Sequence, residues 1–123
     1  MSLRIYKRGQ VWWVNLDPTT GSEIKKKRPC VIVSSDGAGR LPVRIVVPLT
    51  DWQDSFTSSP FHVPIAVDDA QTFAQAGLGK GGAADIMQIR CVAEARFGDY
   101  IALMNADKME HIAAAIASIV DYV

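Results

Sequence analysis

The part of the sequence that best indicates chemistry is a run of four cations, 25–28, between an aromatic segment at 10–16 and an apolar segment at 30–35. Adjacent like charges do not help a core to form, but they attract phosphate groups at a protein surface. Pro29 restricts Arg28 to an extended backbone, and a guanidinium carries donors in a fixed geometry that suits a phosphate. We therefore predict a phosphate-binding surface here, with an ordinary solvated charge run as the alternative.

Two further polar residues, Glu23 and Thr50, are candidates to complete a reactive site. Glu23 lies in the same loop as Arg28 and comes within its reach if the loop folds back. A carboxylate there would orient the guanidinium or accept a proton, or it would form only a surface ion pair. Thr50 ends a predicted strand, where its hydroxyl would either donate to a phosphate oxygen or cap a turn. Asp51 is a candidate base, or a residue that only holds the loop.

Histidine and cysteine give weaker signals. His62 falls in a predicted edge strand and His111 on a predicted helix, so a two-histidine ribonuclease is not favoured. Cys30 and Cys91 sit in apolar stretches without the spacing of a zinc site, which predicts two buried small hydrophobic side chains. The chain also lacks a Walker-type loop, a nucleophile elbow and an HExxH motif, so we predict neither a cofactor nor a metal.

Length and charge limit the function classes. The 123 residues, 49% of them hydrophobic, predict one domain over 1–123. No run approaches the roughly 20 apolar residues of a membrane span, and residues 1–8 do not resemble a signal peptide. We therefore expect a cytoplasmic protein without a membrane partner.

The net charge of +0 argues against a general nucleic-acid coat protein, but residues 1–50 carry nine Lys or Arg and three Asp or Glu, which leaves a positive half. The alternative is that folding brings the two halves together and their fields cancel.

Short apolar or alternating runs separated by turn residues predict a mainly β chain. The predicted strands are 10–16, 30–35, 43–49, 61–67, 84–92 and 96–101. Pro48 is expected to close the third strand, and Pro64 to place the fourth at a sheet edge. Residues 68–77 are predicted as a short helix or a loop, and residues 77–82 as a flexible turn.

The chain ends in a predicted amphipathic helix. Asp107 and Glu110 have the spacing of a capping box at its start. Its apolar face is formed by Met109, Ile112, Ala113, Ile116, Ile119, Val120 and Val123. Many short strands, one C-terminal helix and no βαβ alternation predict an antiparallel barrel-like sheet against which the helix packs.

Several segments in this order resemble the MazF/PemK family of toxin endoribonucleases. The N-terminal block is the long and specific match, whereas Pro48-Leu49-Thr50 and Gln88-Ile89-Arg90 would be weak alone. The matching segments are 8–14, 16–19, 21–23, 27–29, 31–34, 47–50, 77–78 and 88–90.

The resemblance implies an SH3-like antiparallel barrel of the CcdB/PemK type with a C-terminal helix, usually as a homodimer. It implies metal-independent, sequence-selective cleavage of single-stranded mRNA by attack of the ribose 2′-hydroxyl on the adjacent phosphate. It also implies a cognate antitoxin protein as a partner. By the same resemblance Arg28 contacts the scissile phosphate and assists proton transfer, Thr50 stabilises the phosphorane, and Glu23 belongs to the same pocket.

The residues that we assign to RNA binding are Lys25, Lys26, Lys27, Asp51, Asp85 and Gln88. The lysines suit either acidic partner, RNA or antitoxin, and Trp12 or Trp52 would stack on a base, with core or dimer packing as the alternative for Trp12.

Two departures from the family pattern affect the expected activity. Many relatives carry Thr-Ser or Thr-Thr where this chain has Thr50-Asp51, and an acidic residue where it has Met87. Asp85, expected on the same strand face as Met87, is a candidate substitute.

Two rival functions remain: a CcdB-like toxin that binds DNA gyrase through its C-terminal helix, and an inactive homologue that only binds antitoxin or RNA. The Glu23, Arg28 and Thr50 set argues against the first, since a gyrase binder needs no phosphate pocket.

Overall fold

A computed structural model describes residues 5–37, 40–66, 69 and 81–122. In these residues seven strands precede one helix. The strands are β1 (Gln10–Asn15), β2 (Lys27–Ile32), β3 (Val43–Asp51), β4 (His62–Ile65), β5 (Gly82–Asp85), β6 (Arg90–Ala93) and β7 (Phe97–Leu103), and the helix is α1 (Ala106–Ile119). The predicted mainly β chain with a C-terminal helix is confirmed. The helix lacks the length and hydrophobicity to cross a bilayer.

All strand pairings are antiparallel, in the order β4-β5-β3-β2-β1-β7, with β6 also on β3. One edge of β3 pairs with β2, and the other pairs with β6 near its start and β5 near its end. A 3-10 turn, Ile86–Gln88, joins β5 to β6. The sheet curves in the predicted barrel-like way, although these pairings do not close it into a ring.

The sheet buries a core on each face. The larger core packs under α1 and contains Val31, Val47, Leu49 and Ile112 among its members. The second core lies on the opposite face, where Tyr6, Trp12 and Phe97 contact one another with ring centroids 4.6–6.0 Å apart. Trp12 is therefore a core residue, as the alternative interpretation had it.

The start of α1 differs from the predicted capping box. Asn105 is the N-cap, and its side-chain oxygen accepts a hydrogen bond from the backbone N–H of Lys108 at 2.7 Å. Asp107 thus lies in the first turn, where its charge still favours the helix dipole. Met109, Ile112 and Ala115 are the buried helix residues, whereas the predicted Ala113 and Val120 are exposed. Val123 lies outside the described residues.

The strand predicted over 84–92 is wrong, because the 3-10 turn at Ile86–Gln88 divides it into β5 and β6. Two other predicted strands are displaced: β2 begins at Lys27 and β3 continues past Pro48 to Asp51. Pro64 lies on the edge strand β4, as predicted. The helix or loop predicted for 68–77 and most of the turn predicted for 77–82 lie outside the described residues, apart from Asp69, Gly81 and Gly82.

The two cysteines do not share one environment. Cys30 is fully buried, and burial raises its pKa to about 12, although the charges of Arg90 and Arg28 oppose the rise. Its thiol therefore stays protonated at neutral pH, as expected of a small hydrophobic core residue. Cys91 on β6 is exposed, so the prediction of two buried cysteines is wrong for this one. Alternation along the short strand turns Cys91 to solvent and its neighbour Val92 into the core.

A substitution at Gly82 tests how closely β5 must approach β3. A Cβ atom at this position would overlap the carbonyl oxygen of Thr50, whose strand pairs with β5. We expect Gly82→Ala to lower the free energy of unfolding by about 1–3 kcal/mol, the usual cost of overpacking. Gly37→Ala is the matched control, because a Cβ there meets nothing within 4 Å. Denaturant unfolding measures both, and equal stability of the two variants would contradict the close approach.

The two thiols should differ in reactivity. We expect a thiol-specific reagent to modify one cysteine in the folded chain and both in denaturant, because only the exposed Cys91 offers an accessible sulfur. Mass spectrometry of the labelled peptides identifies the site. Modification of Cys30 under native conditions would show that the second core opens more readily than its packing indicates.

Candidate active site

Arg28 and Thr50 share one face of the sheet. Cys30 of β2 pairs with Pro48 of β3. Arg28 lies two residues before Cys30, and Thr50 lies two residues after Pro48, so strand alternation puts all four side chains on the same face. Because the strands are antiparallel, the same register carried outward sets Arg28 across from Thr50. The two residues therefore flank the open end of the β2–β3 ladder.

The same face continues onto β5 and β4. Thr50 pairs with Ala83, and Asp85, two residues further along β5, pairs with His62 of β4. Asp85 Oδ1 lies 3.6 Å from His62 Nε2. Arg28, Thr50, Asp85 and His62 thus lie on one face of four neighbouring strands, with Asp85 and His62 two residues along their strands from the level of Thr50. These four residues are here called the polar row, and each is half-buried.

The guanidinium of Arg28 is held at one end and free at the other. Its Nε donates a hydrogen bond to the carbonyl oxygen of Lys25 at 3.0 Å. Among the described residues, no group pairs with its two terminal nitrogens, nor with the hydroxyl of Thr50. An oriented fork of unpaired donors beside an unpaired hydroxyl is an arrangement that accepts a phosphate group.

Asp85 is the carboxylate of the polar row. Burial raises the pKa of its carboxyl above the ordinary value of 3.8, and the charges of His62 and Arg28 oppose part of the rise. A raised pKa makes the carboxylate a better proton acceptor than a fully solvated one. The expectation that Asp85 and Met87 share a strand face is wrong, because the 3-10 turn begins at Ile86. Met87 is 60% exposed and belongs to that turn.

Glu23 does not join Arg28 as predicted. Its Oε1 accepts a hydrogen bond from the backbone N–H of Thr20 at 2.6 Å, within its own loop. In the described part of the chain, Glu23 forms no ion pair with Arg28. Asp51 is also outside the polar row, because alternation turns its exposed side chain to the face opposite Thr50.

The β1–β2 loop, residues 16–26, is fixed by side chains from later in the chain. Gln88 uses both ends of its amide: Oε1 accepts from the Ile24 N–H and Nε2 donates to the Ser22 carbonyl, each at 3.0 Å. Nη1 of Arg90 donates to the Leu16 carbonyl at 3.1 Å. The 3-10 turn and β6 therefore hold the loop in place, and the Gln88 side chain is occupied by that loop.

The β1–β2 loop, fixed in this way, exposes the lysines of the positively charged run. Lys25, Lys26 and Lys27 are all exposed, and none forms an ion pair within the described residues. Arg96 fastens the far side of the loop with hydrogen bonds from Nη1 to the Asn15 and Asp17 carbonyls, at 3.1 and 2.6 Å. The three lysines of the run predicted from the sequence are therefore exposed beside Arg28.

A shallow polar cavity of about 450 Å³ adjoins the Gln88 and Arg90 side chains that fix the loop. Its walls include Glu23, Met87, Gln88 and Arg90.

Trp52, 38% exposed, lies beyond β3 and meets the ring of Phe56 edge-on at 5.7 Å. It is the tryptophan of the two proposed that remains accessible for stacking. The described residues contain no group of three His, Cys, Asp or Glu side chains placed to hold a metal ion.

Sequence reasoning missed three residues that shape this region. His62 was weighed only as a partner of His111, but α1 packs on the opposite face of the sheet from the polar row. The roles of Arg90 and Arg96 as loop anchors were missed, because each reaches a backbone carbonyl more than 70 positions away. The order of Gln88 and Arg90 on either side of an apolar residue was the available signal, since both then point toward the same loop.

Comparisons with known proteins agree with this architecture. The sequence model of the family described as PemK-like, MazF-like toxin of type II toxin-antitoxin system matches residues 7–120. Endoribonuclease MazF9 of Mycobacterium tuberculosis is 31% identical over 116 residues, covering 89% of this chain and 92% of that protein. Endoribonuclease EndoA of Bacillus subtilis is 28% identical, with 91% of each chain covered.

Solved structures show the same fold. MazF from Deinococcus radiodurans superposes with a TM-score of 0.74 at 21% identity, covering 96% of this chain and 98% of that one. A mycobacterial endoribonuclease in complex with its cognate antitoxin gives a TM-score of 0.73 at 20% identity, covering 95% and 96%. Since the family match spans nearly all of the described fold, this chain belongs to the PemK-like, MazF-like toxins of type II toxin–antitoxin systems.

Proposed function

We propose that this chain is the toxin of a toxin–antitoxin pair and acts as an endoribonuclease on single-stranded mRNA. Endoribonuclease is the activity that names both relatives aligned over about nine tenths of the chain. The observation that carries the proposal is the guanidinium of Arg28, which Lys25 orients, on the same sheet face as Thr50 and next to three exposed lysines. Cleavage takes place at short sequences in the cytoplasm, where the mRNA is.

The reaction needs only the groups of the polar row. The ribose 2′-oxygen attacks the adjacent phosphorus while its proton passes to the Asp85 carboxylate, whose raised pKa favours that transfer. Arg28 and Thr50 donate hydrogen bonds to the phosphoryl oxygens, where negative charge develops in the transition state. The bond from phosphorus to the 5′-oxygen breaks, leaving a 2′,3′-cyclic phosphate and a 5′-hydroxyl. No step calls on a metal ion.

The carboxylate of the site is Asp85 in this proposal, in place of the predicted Glu23. The Glu23 side chain is engaged by Thr20, whereas Asp85 lies on the same face as Arg28 and near enough to sense its charge. This choice also answers the departure at Met87, since the chain supplies a carboxylate two positions earlier from β5. An Asp51 side chain on the opposite face does not repel a phosphate bound at Thr50.

The basic run 25–28, with its three exposed lysines, also suits an acidic segment of a protein. We propose that a cognate antitoxin covers this surface and so blocks the polar row, since one positive field attracts either partner. A homodimer completes the assembly in this proposal. β7 lies at the end of the strand order and exposes Tyr100 and Leu103, 50% and 57% accessible, which leaves apolar surface for a second copy.

The two rival functions lack comparable support. A gyrase-binding toxin would have no use for an oriented, unpaired Arg28 beside Thr50. An inactive homologue was suggested by Asp51 and Met87, but neither side chain occupies the polar row. Cleavage assays decide among the three.

The role of Arg28 is tested by a change that preserves its charge. We expect the purified chain to cut a long single-stranded RNA in EDTA into discrete fragments with cyclic phosphate ends. Arg28→Lys should slow this by about 10²–10³-fold, because lysine lacks the planar fork that meets the phosphoryl oxygens.

Arg44→Lys is the matched control for that variant. Arg44 is also half-buried, but it pairs with Glu94 at 3.1 Å and lies six residues, about 20 Å, along β3 from Thr50. Equal rates for the two lysine variants would remove Arg28 from the reaction. Intact RNA with the unaltered chain would instead favour gyrase binding or an inactive homologue, which a gyrase pull-down separates.

The raised pKa of Asp85 predicts opposite effects on stability and activity. Because folding favours its protonated form, the stability contributed by this carboxyl is present below the ordinary pKa and is lost as pH rises through the raised value. We therefore expect Asp85→Asn to melt at a higher temperature than the unaltered chain at neutral pH, with the two converging in acid. Cleavage by the same variant should fall by about 10²–10⁴-fold, the usual contribution of a general base.

The control for this variant is Glu94→Gln, which neutralises a half-buried carboxylate outside the polar row. Thermal melts across the acid range and cleavage rates at neutral pH are measured on both. A neutral-pH melting temperature for Asp85→Asn below that of the unaltered chain would contradict the burial argument. Undiminished cleavage would contradict the assignment of the base.

A further inference from the structure

His62 is an imidazole built into the polar row at the far end from Arg28. Its side chain is 20% exposed and projects from β4 beside Asp85. The ring stacks on Phe56 with centroids 3.8 Å apart and planes inclined by 8°. Nδ1 lies 2.7 Å from Ser59 Oγ, and Nε2 lies 3.6 Å from Asp85 Oδ1. The ring is thus fixed on one side and open on the side that faces the row.

Ser59 determines which nitrogen is available. Its Oγ accepts a hydrogen bond from the Phe61 N–H at 3.2 Å, which leaves its hydroxyl proton free to be donated to Nδ1 of the neutral ring. When the ring is charged, Nδ1–H donates to the same oxygen instead. In both of these states, which precede proton donation, Nε2 carries a hydrogen that faces the polar row.

The proposed reaction leaves one proton unassigned. The 5′-oxygen must be protonated as it departs, and a guanidinium holds its protons too tightly to be a good acid for that purpose. A threonine hydroxyl is poorer still, and the exposed lysines project from the loop on the Arg28 side. An imidazole is the side chain type whose ordinary pKa best suits proton donation near neutrality.

We propose that His62 is the general acid of the cleavage reaction, donating its Nε2 proton to the departing 5′-oxygen. This inference rests on the proposed function. It makes His62 a catalytic residue of this chain, opposite the Arg28 end of the phosphate site, with Ser59 and Phe56 as its positioning residues.

The proton balance closes within the row. The 2′-hydroxyl proton goes to Asp85, the 2′-oxygen forms a bond to phosphorus, and the 5′-oxygen leaves with the electron pair of its bond. That oxygen takes the Nε2 proton of charged His62, which leaves a neutral ring with its hydrogen on Nδ1, toward Ser59, and leaves Asp85 protonated. Because Nε2 and Oδ1 are 3.6 Å apart, the proton returns from Asp85 to His62 with little movement of either side chain. The enzyme is then restored without any further reactant.

A substrate with sulfur in place of the bridging 5′-oxygen tests this role directly. A thiolate leaves without being protonated, so general-acid catalysis no longer contributes to its departure. We expect His62→Gln to slow cleavage of the ordinary RNA by about 10²–10³-fold and to cut the sulfur-bridged RNA within a few-fold of the unaltered chain. Arg28→Lys and Asp85→Asn should be slow on both substrates.

Two further variants guard against a structural explanation. His62→Phe keeps a ring to stack on Phe56 but has no proton to donate, and it should show the same substrate dependence as His62→Gln. His111→Gln is the matched control, because His111 is an exposed histidine on α1, across the sheet from the polar row. It should cut both substrates like the unaltered chain. Circular dichroism melts confirm that each variant is folded.

The outcomes distinguish failure of the His62 assignment from failure of the proposed endoribonuclease function. If His62→Gln and His62→Phe are slowed equally on both substrates, His62 only supports the structure and the acid assignment is wrong. If neither variant is slowed on the ordinary RNA, the assignment is also wrong, while the endoribonuclease proposal stands. If the unaltered chain cuts neither RNA, the proposed function fails and the acid assignment fails with it.

Discussion

The site depends on β3 pairing along both of its edges. Val46–Pro48 holds β2 on one edge, and Leu49–Asp51 holds β5 on the other, so two segments distant in sequence meet across one strand. The close fit of Gly82 against Thr50 is what lets β5 lie there. Without this pairing Arg28 and Asp85 would belong to separate surfaces. The polar row is therefore a consequence of sheet order more than of any local motif.

The sheet face that carries the polar row is apolar at one end and polar at the other. Near β1 and β6 it is apolar, and Trp12, Cys30 and Ile32 form the second core there. Toward β4 the same face becomes polar, and its charged groups remain half-buried. Partial burial is enough to raise the pKa of Asp85, yet it leaves the row open to a substrate. The opposite face carries α1 and the larger core, which stabilise the sheet without entering the site.

Local features of the site could be predicted from the sequence, and non-local ones could not. The placement of Arg28 at a strand followed from Pro29, a neighbour that restricts its backbone. The antiparallel sheet and the helix followed from periodicity and turn residues. Asp85 and His62 meet through a strand register between residues 23 positions apart, which no short window contains. The Glu23 carboxylate, a candidate partner of Arg28, instead accepts a hydrogen bond from the Thr20 N–H three residues before it, a local contact that the turn residues around it did not reveal.

The loop that presents the positive run shows how a charged surface is held without being neutralised. Four adjacent cations repel one another, and Lys26 adopts a left-handed backbone with φ 74°, so the loop needs external support. Carboxylates could supply it, but each ion pair would remove charge from the field that attracts phosphate.

The side chains that brace the loop donate to backbone carbonyl oxygens, while the carboxylates of Asp17 and Glu23 accept from the backbone N–H groups of Lys26 and Thr20. Arg90, Arg96 and Arg28 donate to the carbonyls of Leu16, Asn15 and Lys25, while Gln88 ties down Ser22. Three of these four supports are arginines, which add positive charge to the region while they brace it. Support of the loop and attraction of an anionic partner are thus assigned to neighbouring cationic side chains, in a chain whose net charge is +0.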